Sequence, residues 1–197
     1  MADTYHTIQA PSEAVFKEKM SKFLAFAHPV GTVEEAKDII GRYAKEYFDS
    51  RHVCWAYMLG SARDRFLSSD NGEPSGTAGK PILGQINSFG LTDIVIVVVR
   101  YFGGIKLGTS GLIAAYREAA RLALAEAEIV ERHDITEISF TFPYLAMNDV
   151  MKLTKKGNIE IRGQIFDNSC EMTLAIRADE ADSLRQRLAD IDGVTLD

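Results

Sequence analysis

Residues Asp93–Tyr101 read DIVIVVVRY, a near-continuous β-branched run. Val and Ile at both odd and even positions leave no side of the strand for water, so it needs apolar cover on both faces. Gly103, Gly104, Gly108 and Gly111 follow, and then an Ala-rich stretch reaching about Glu128. In that stretch Leu112, Ala115, Tyr116, Ala119, Leu122 and Ala123 recur at helical spacing and mark a buried face. An α+β fold with this strand buried is therefore expected.

The segments upstream fit that frame. Glu13–Met20 and Ser21–Val30 read as two extended stretches. Thr32 and Glu35 have the spacing of a capping box, in which a hydroxyl and a carboxylate each satisfy a free backbone N–H. Val33, Ala36, Ile40, Tyr43, Ala44 and Tyr47 then share one helical face. In His52–Gly60, Val53, Trp55, Tyr57 and Leu59 alternate with His52, Cys54, Ala56 and Met58, which predicts a strand with one face in the core and the other partly covered. Arg63–Ser68 is expected to return as a further strand. Ser69–Gly79 is rich in turn formers, and a short helix from about Pro81 to Ser88 is expected after it, ended by Gly90.

After about residue 131 the pattern changes. Ile138, Phe140 and Phe142 alternate, as do Ile159, Ile161 and Ile165, then Met172, Leu174 and Ile176, then Val194 and Leu196. Strict alternation predicts a sheet covered on one face only. Two amphipathic helices interrupt it. One spans about Leu145–Lys156 and stops at Gly157; the other starts near Asp179, buries Ala181, Leu184, Leu188 and Ile191, and stops at Gly193. The order is βαββαβ, a ferredoxin-like layout. Two domains are expected, 1–131 and 132–197, joined in the charged stretch Glu131–Asp134.

Charge narrows the function. The net charge is -6, with 14 Lys+Arg against 16 Asp+Glu in residues 1–131 and 8 against 12 beyond. Neither half has the basic excess of a bulk nucleic-acid binder, so an RNA contact needs a local basic patch on an acidic body. Hydrophobic residues are 46% of the chain, enough to form a core without disulfide or metal staples. Cys54 and Cys170 are widely separated, lack metal-ligand spacing and read as reduced core thiols. The longest apolar run, Ile94–Val99, is too short for a membrane helix. The opening MADTYHTIQAPSE has neither a basic nor an apolar signal-peptide region. A cytoplasmic protein with no membrane association, resident metal or cofactor is expected.

Three blocks stand in order: RHVCWA at Arg51–Ala56, DNGEPSGTAGKP at Asp70–Pro81, and VVRYFGGIKLG at Val98–Gly108. Together they resemble the signatures of the YigZ/IMPACT family over about residues 15–125, and the ferredoxin-like tail resembles the second domain of its bacterial members. The resemblance implies an N-terminal domain similar to domain IV of elongation factor G and a C-terminal domain similar to its domain V. It also implies partners around translation: RNA or the ribosome, or a protein partner in translation control. It implies no established enzymatic reaction.

The block from Arg100 to Ser110 is the leading candidate site. Glycines at Gly103, Gly104 and Gly108 let backbone N–H groups approach a ligand, and the following helix N-terminus favours an anion. Arg100 and Lys106 would add charge, Thr109 and Ser110 would cap the helix or donate to a phosphate, and Tyr101 and Phe102 would offer stacking faces. A tight structural turn explains the same residues, with Arg100 paired to a carboxylate and the aromatics in the core. Lys106 is not followed by Ser or Thr, so the block is no Walker A motif.

A second cluster comprises His52, Asp70, Glu73, Ser75 and Thr77. An enzyme would use its carboxylates as bases or metal ligands, and a hydrolase or transferase would pair His52 with Asp70 or Glu73. A turn bonding its own backbone is the plainer account of the loop. His52 and Cys54 share a strand face but stand about 7 Å apart, long for a nucleophile–base hydrogen bond. No catalytic set is complete, so a non-catalytic binding protein is the expected function.

Overall fold

The computed structural model describes residues 4–155, 157–167 and 169–197. Its contacts divide the chain into two compact units, Met1–Arg132 and His133–Asp197.

The first unit is built on a five-stranded antiparallel sheet in the order β2-β3-β6-β4-β5. Its strands are β2 (Ser12–Glu18), β3 (Ser21–Pro29), β4 (His52–Leu59), β5 (Arg65–Ser69) and β6 (Ile94–Tyr101). The β-branched run is β6, at the centre. Ile94, Ile96 and Val98 enter one core cluster and Val95, Val97 and Val99 another. Helices α2 (Gly79–Ser88) and α3 (Gly108–Ala125) pack on the first face, and α1 (Val33–Glu46) covers the second. The two-layer cover expected for β6 is present. It extends to β4, where Cys54, Ala56 and Met58 are as buried as Val53, Tyr57 and Leu59. Partial cover is confined to single positions, His52 on the α2–α3 face and Trp55 on the other, both half-buried.

Local signals account for most boundaries. Thr32 Oγ1 accepts from Glu35 N at 3.1 Å, and Glu35 Oε2 accepts from Gly31 N at 2.7 Å, one residue earlier than the usual reciprocal partner. On α1 the buried stripe runs through Ala36, Ile39, Ile40 and Tyr43; Ala44 is exposed. On α3, Ala120 and Leu124 are buried where Leu122 is only half-buried. The other expected positions, Val33 and Tyr47 on α1 and Leu112, Ala115, Tyr116, Ala119 and Ala123 on α3, pack into the cores as read. A strand absent from the sequence reading, β1 (Thr4–Ile8), pairs with β7 (Ile129–His133) in a two-stranded sheet.

The second unit follows the βαββαβ order, with β8 (Ile135–Phe142), α4 (Met147–Thr154), β9 (Glu160–Phe166), β10 (Cys170–Arg177), α5 (Ala181–Ala189) and β11 (Thr195–Leu196). The antiparallel sheet order is β11-β8-β10-β9, with both helices over one face. Lys156, expected at the end of α4, lies outside the described residues. The alternation predicted for Ile161 and Ile165 fails. Thr173 pairs with Gly163 and Leu174 with Ile161, so Arg162 is bulged out. One extra residue reverses the faces beyond it. Ile165 then stands opposite exposed Glu171, and is 58% exposed. All of β9 lies exposed at the sheet edge.

Each unit owns a continuous apolar core. A fragment of residues 1–132 is therefore expected to unfold cooperatively by itself. Thermal circular dichroism checks this; a featureless melt for the fragment beside a cooperative one for the full chain would refute it.

Candidate functional site

The register of β6 against its neighbours sets the site. His52 on β4 and Phe23 on β3 both pair with Arg100 on β6, forming one row across three strands. Arg100 continues the face of Ile94, Ile96 and Val98, so its side chain runs beneath α3 while Tyr101 turns to the α1 face. The Arg100 guanidinium sits between two rings, 5.6 Å from the centroid of Phe23 and 5.6 Å from that of Phe102.

The loop between β5 and α2 delivers the acid. Asp70 to Glu73 is a tight turn closed by Glu73 N donating to Asp70 O at 3.0 Å. Asn71 and Gly72 carry φ of 41° and 81°, the conformation for which Asn-Gly is favoured. The turn places the Asn71 carbonyl 2.8 Å from His52 Nδ1, which donates to it. His52 Nε2 is thereby the nitrogen turned to Glu73, 3.8 Å from Oε2.

Glu73 is buried and tightly held. Its Oε1 accepts from Arg100 Nη1 at 2.6 Å and from the Tyr116 hydroxyl at 2.8 Å. The two side chains of the ion pair are 4% and 7% exposed. Burial, with Cys54 and Glu73 beside it, pushes the Tyr116 phenol well above its ordinary pKa, so it stays a donor. Burial likewise pushes the Cys54 thiol up to about 12, and its S–H donates to Asp70 O at 2.9 Å. That thiol is no nucleophile near neutral pH. Arg100 Nε is buried without a hydrogen-bond partner, and an orphaned N–H of this kind costs about 1–3 kcal/mol.

Asp70 has a different task. Burial alone would raise its carboxyl pKa, but N–H donors from Gly76, Gly79 and Ala78 outweigh it and hold the pKa below its usual value. The three bonds are 2.8, 2.8 and 3.0 Å long; those from Gly79 and Ala78 cap the start of α2, where no side chain of the cap residue does so, and that from Gly76 ties down the loop before it. Thr77 Oγ1 donates to Pro74 O at 2.6 Å, and Ser75 is exposed. Asp70 and Thr77 thus behave as the plainer turn reading expects, while Glu73 does not.

A cleft of about 410 Å³ opens above this network. From the glycine block it is lined by Arg100, Phe102, Lys106, Gly108 and Thr109, and from the second cluster by His52 and Glu73. Two groups separated in sequence are one site. Arg51, Pro74, Leu107 and Leu112 complete the wall; the RHVCWA block and the helical face already contained Arg51 and Leu112, but nothing local aimed them here. Tyr101, Gly103, Gly104 and Ser110 lie outside the lining. The Tyr101 hydroxyl donates to Asp49 at 2.7 Å. Gly103 N donates to Ser21 Oγ at 3.2 Å, so its close approach serves the β2–β3 hairpin. Neither Thr109 nor Ser110 caps α3, which starts with no side-chain cap. Its first N–H groups therefore remain available beside Gly108 and Thr109. Among the described residues Arg51 and Lys106 have no carboxylate partner, and no group of three His, Cys, Asp or Glu stands ready for a metal.

Known proteins are similar to this chain over the segments that build the cleft. A model of the Impact N-terminal domain matches residues 19–124, a span containing every residue of the cleft wall. An IMPACT family member of Haemophilus influenzae is 36% identical over 171 residues, 84% of this chain and 82% of that protein. The Escherichia coli IMPACT family member YigZ is 33% identical over 92% of this chain and 90% of its own. A crystal structure of a hypothetical protein superposes with a TM-score of 0.78 at 30% identity, covering 100% of this chain and 97% of that one. Because the family match spans the strands, loop and helix that build the cleft, and the relatives align over most of both chains, this chain belongs to the IMPACT family.

Proposed function

We propose that this chain is a non-catalytic binding protein that associates with RNA or the translation apparatus, holding phosphate in the cleft. The observation that carries the reading is the convergence of Arg51, Lys106 and the uncapped start of α3 on one cavity. Glu73 neutralises Arg100, so the formal charge offered to a ligand comes from Arg51 and Lys106. An anion there gains helix-terminus N–H groups and fixed positive charge together. The expected likeness to domains IV and V of elongation factor G points the same way, and the βαββαβ order of the second unit fits it. A hydrolase or transferase would have to rely on His52 and Glu73, since Asp70 is committed to backbone N–H groups and Cys54 to its carbonyl.

Lys106 is exposed and outside every core cluster. Lys106→Ala is therefore expected to leave the melting temperature unchanged, to weaken RNA binding irrespective of sequence, and to flatten the log–log salt dependence by roughly 0.7–0.9. Fluorescence anisotropy across a salt series measures this. A full slope retained by a folded variant would end the phosphate reading and favour a protein partner for this surface.

A further inference from the structure

We propose that the cleft takes a single nucleoside monophosphate moiety, free or at the end of an RNA strand, and not an internal stretch of strand. The inference rests on the phosphate reading above and adds what the phosphate must be attached to.

Size is the first ground. At about 410 Å³ the cleft falls in the range of small-ligand sites. A surface that tracks a nucleic-acid strand is a groove running over several nucleotides. Here the cations and the helix terminus line one cleft, and Lys106 and Gly108 sit two residues apart at the same turn.

Charge is the second. A terminal phosphate carries about -1.5 to -2 at neutral pH, whereas an internal diester carries one negative charge. Arg51, Lys106 and the free N–H groups of α3 match the higher charge. Arg100, paired with Glu73, lines the same cleft and adds N–H groups to its wall. Arg100 and Tyr116 hold the Oε1 of Glu73, so the cleft meets a paired carboxylate and not a free one.

The apolar part of the lining supplies the third ground. Phe102 is 45% exposed and lines the same cleft as Leu112 and Pro74. A flat aromatic face beside a phosphate site suits a base, and stacking of this kind is indifferent to which base it is. Phosphate alone would leave that apolar wall without purpose.

The test uses the full chain. Adenosine monophosphate, adenosine and inorganic phosphate are titrated calorimetrically; then a short RNA is offered as competitor with a terminal phosphate, with hydroxyl ends, and circularised. The monophosphate is expected to bind roughly tenfold or more tightly than adenosine or inorganic phosphate. The phosphorylated RNA should displace it and the circle should not. Phe102→Ala should weaken the monophosphate by roughly 5- to 150-fold while leaving inorganic phosphate unchanged. Phe102→Leu, which keeps packing volume without the ring, guards against a folding defect. If the circle displaces the monophosphate as well as the phosphorylated strand does, or if the monophosphate binds no better than phosphate, the inference fails while Lys106-dependent RNA binding still stands. If the monophosphate binds and no RNA does, the RNA association fails and the mononucleotide site stands.

Discussion

Glu73→Ala is expected to destabilise the protein by about 3–5 kcal/mol, the usual cost of removing one partner from a buried ion pair. The variant leaves the Arg100 guanidinium charged, 7% exposed and without its 2.6 Å carboxylate. It also strands the Tyr116 hydroxyl, which donates to the same oxygen. Cation–π contacts to Phe23 and Phe102 would retain only a fraction of the loss. Glu73→Gln keeps an acceptor but not the charge, so it should fall between Ala and wild type. Replacing both partners by apolar residues, Glu73→Leu with Arg100→Met, should be less damaging than Glu73→Ala alone, because no unpaired charge remains. Urea unfolding of the four proteins decides the matter. A Glu73→Ala midpoint matching wild type would mean that the pair contributes nothing. The same variants report on the cleft: any Glu73→Gln protein that stays folded should bind anions more tightly, since Arg100 is then no longer neutralised.

Gly103→Ala is the second large effect, expected at about 3 kcal/mol, the upper part of the overpacking range. A Cβ built there would lie 2.0 Å from the Met20 carbonyl carbon and 2.4 Å from Ser21 N. Those atoms belong to a hairpin turn in which Lys19 and Met20 already hold φ of 44° and 66°, so backbone must move. Gly104 is the useful control. Its φ is +89°, yet nothing lies within 4 Å of its Cβ position, and Gly104→Ala should cost about 1–2 kcal/mol from left-handed strain alone. The expected ranking is Gly103→Ala worse than Gly104→Ala, read from denaturation midpoints. The reverse order would mean that the turn relaxes freely around Gly103. Phe102 and Lys106 flank these glycines, so the Gly103→Ala protein should lose anion affinity along with stability.

Periodicity made much of the architecture legible. The run in β6 announced cover on both faces, the Thr32–Glu35 spacing announced α1, and alternation in β8 and β10 announced a one-sided sheet. Each of these depends only on residues close in the chain. It fails where one residue breaks the count: the bulge at Arg162 put Ile165 on the open face, and its local hint, the adjacent Gly163, does not say on which side the extra residue falls.

The sequence by itself determined most of the strands and helices, though not β1 or β7, most of the residues buried on them, and that a basic, glycine-punctuated turn precedes α3. Only the tertiary structure decided that this turn and the Asp70–Thr77 loop form one site. The β4–β6 register set His52 beside Arg100, and the left-handed Asn71-Gly72 turn swung Glu73 onto Arg100 while Asp70 stayed behind to cap α2. Tyr116 looked like one more core position on a helix and proved to be the donor that holds Glu73. The reason is physical. Periodicity reports which way a side chain faces, whereas charge pairing depends on what stands opposite, and for Glu73, Arg100 and Tyr116 that is fixed by packing between elements dozens of residues apart.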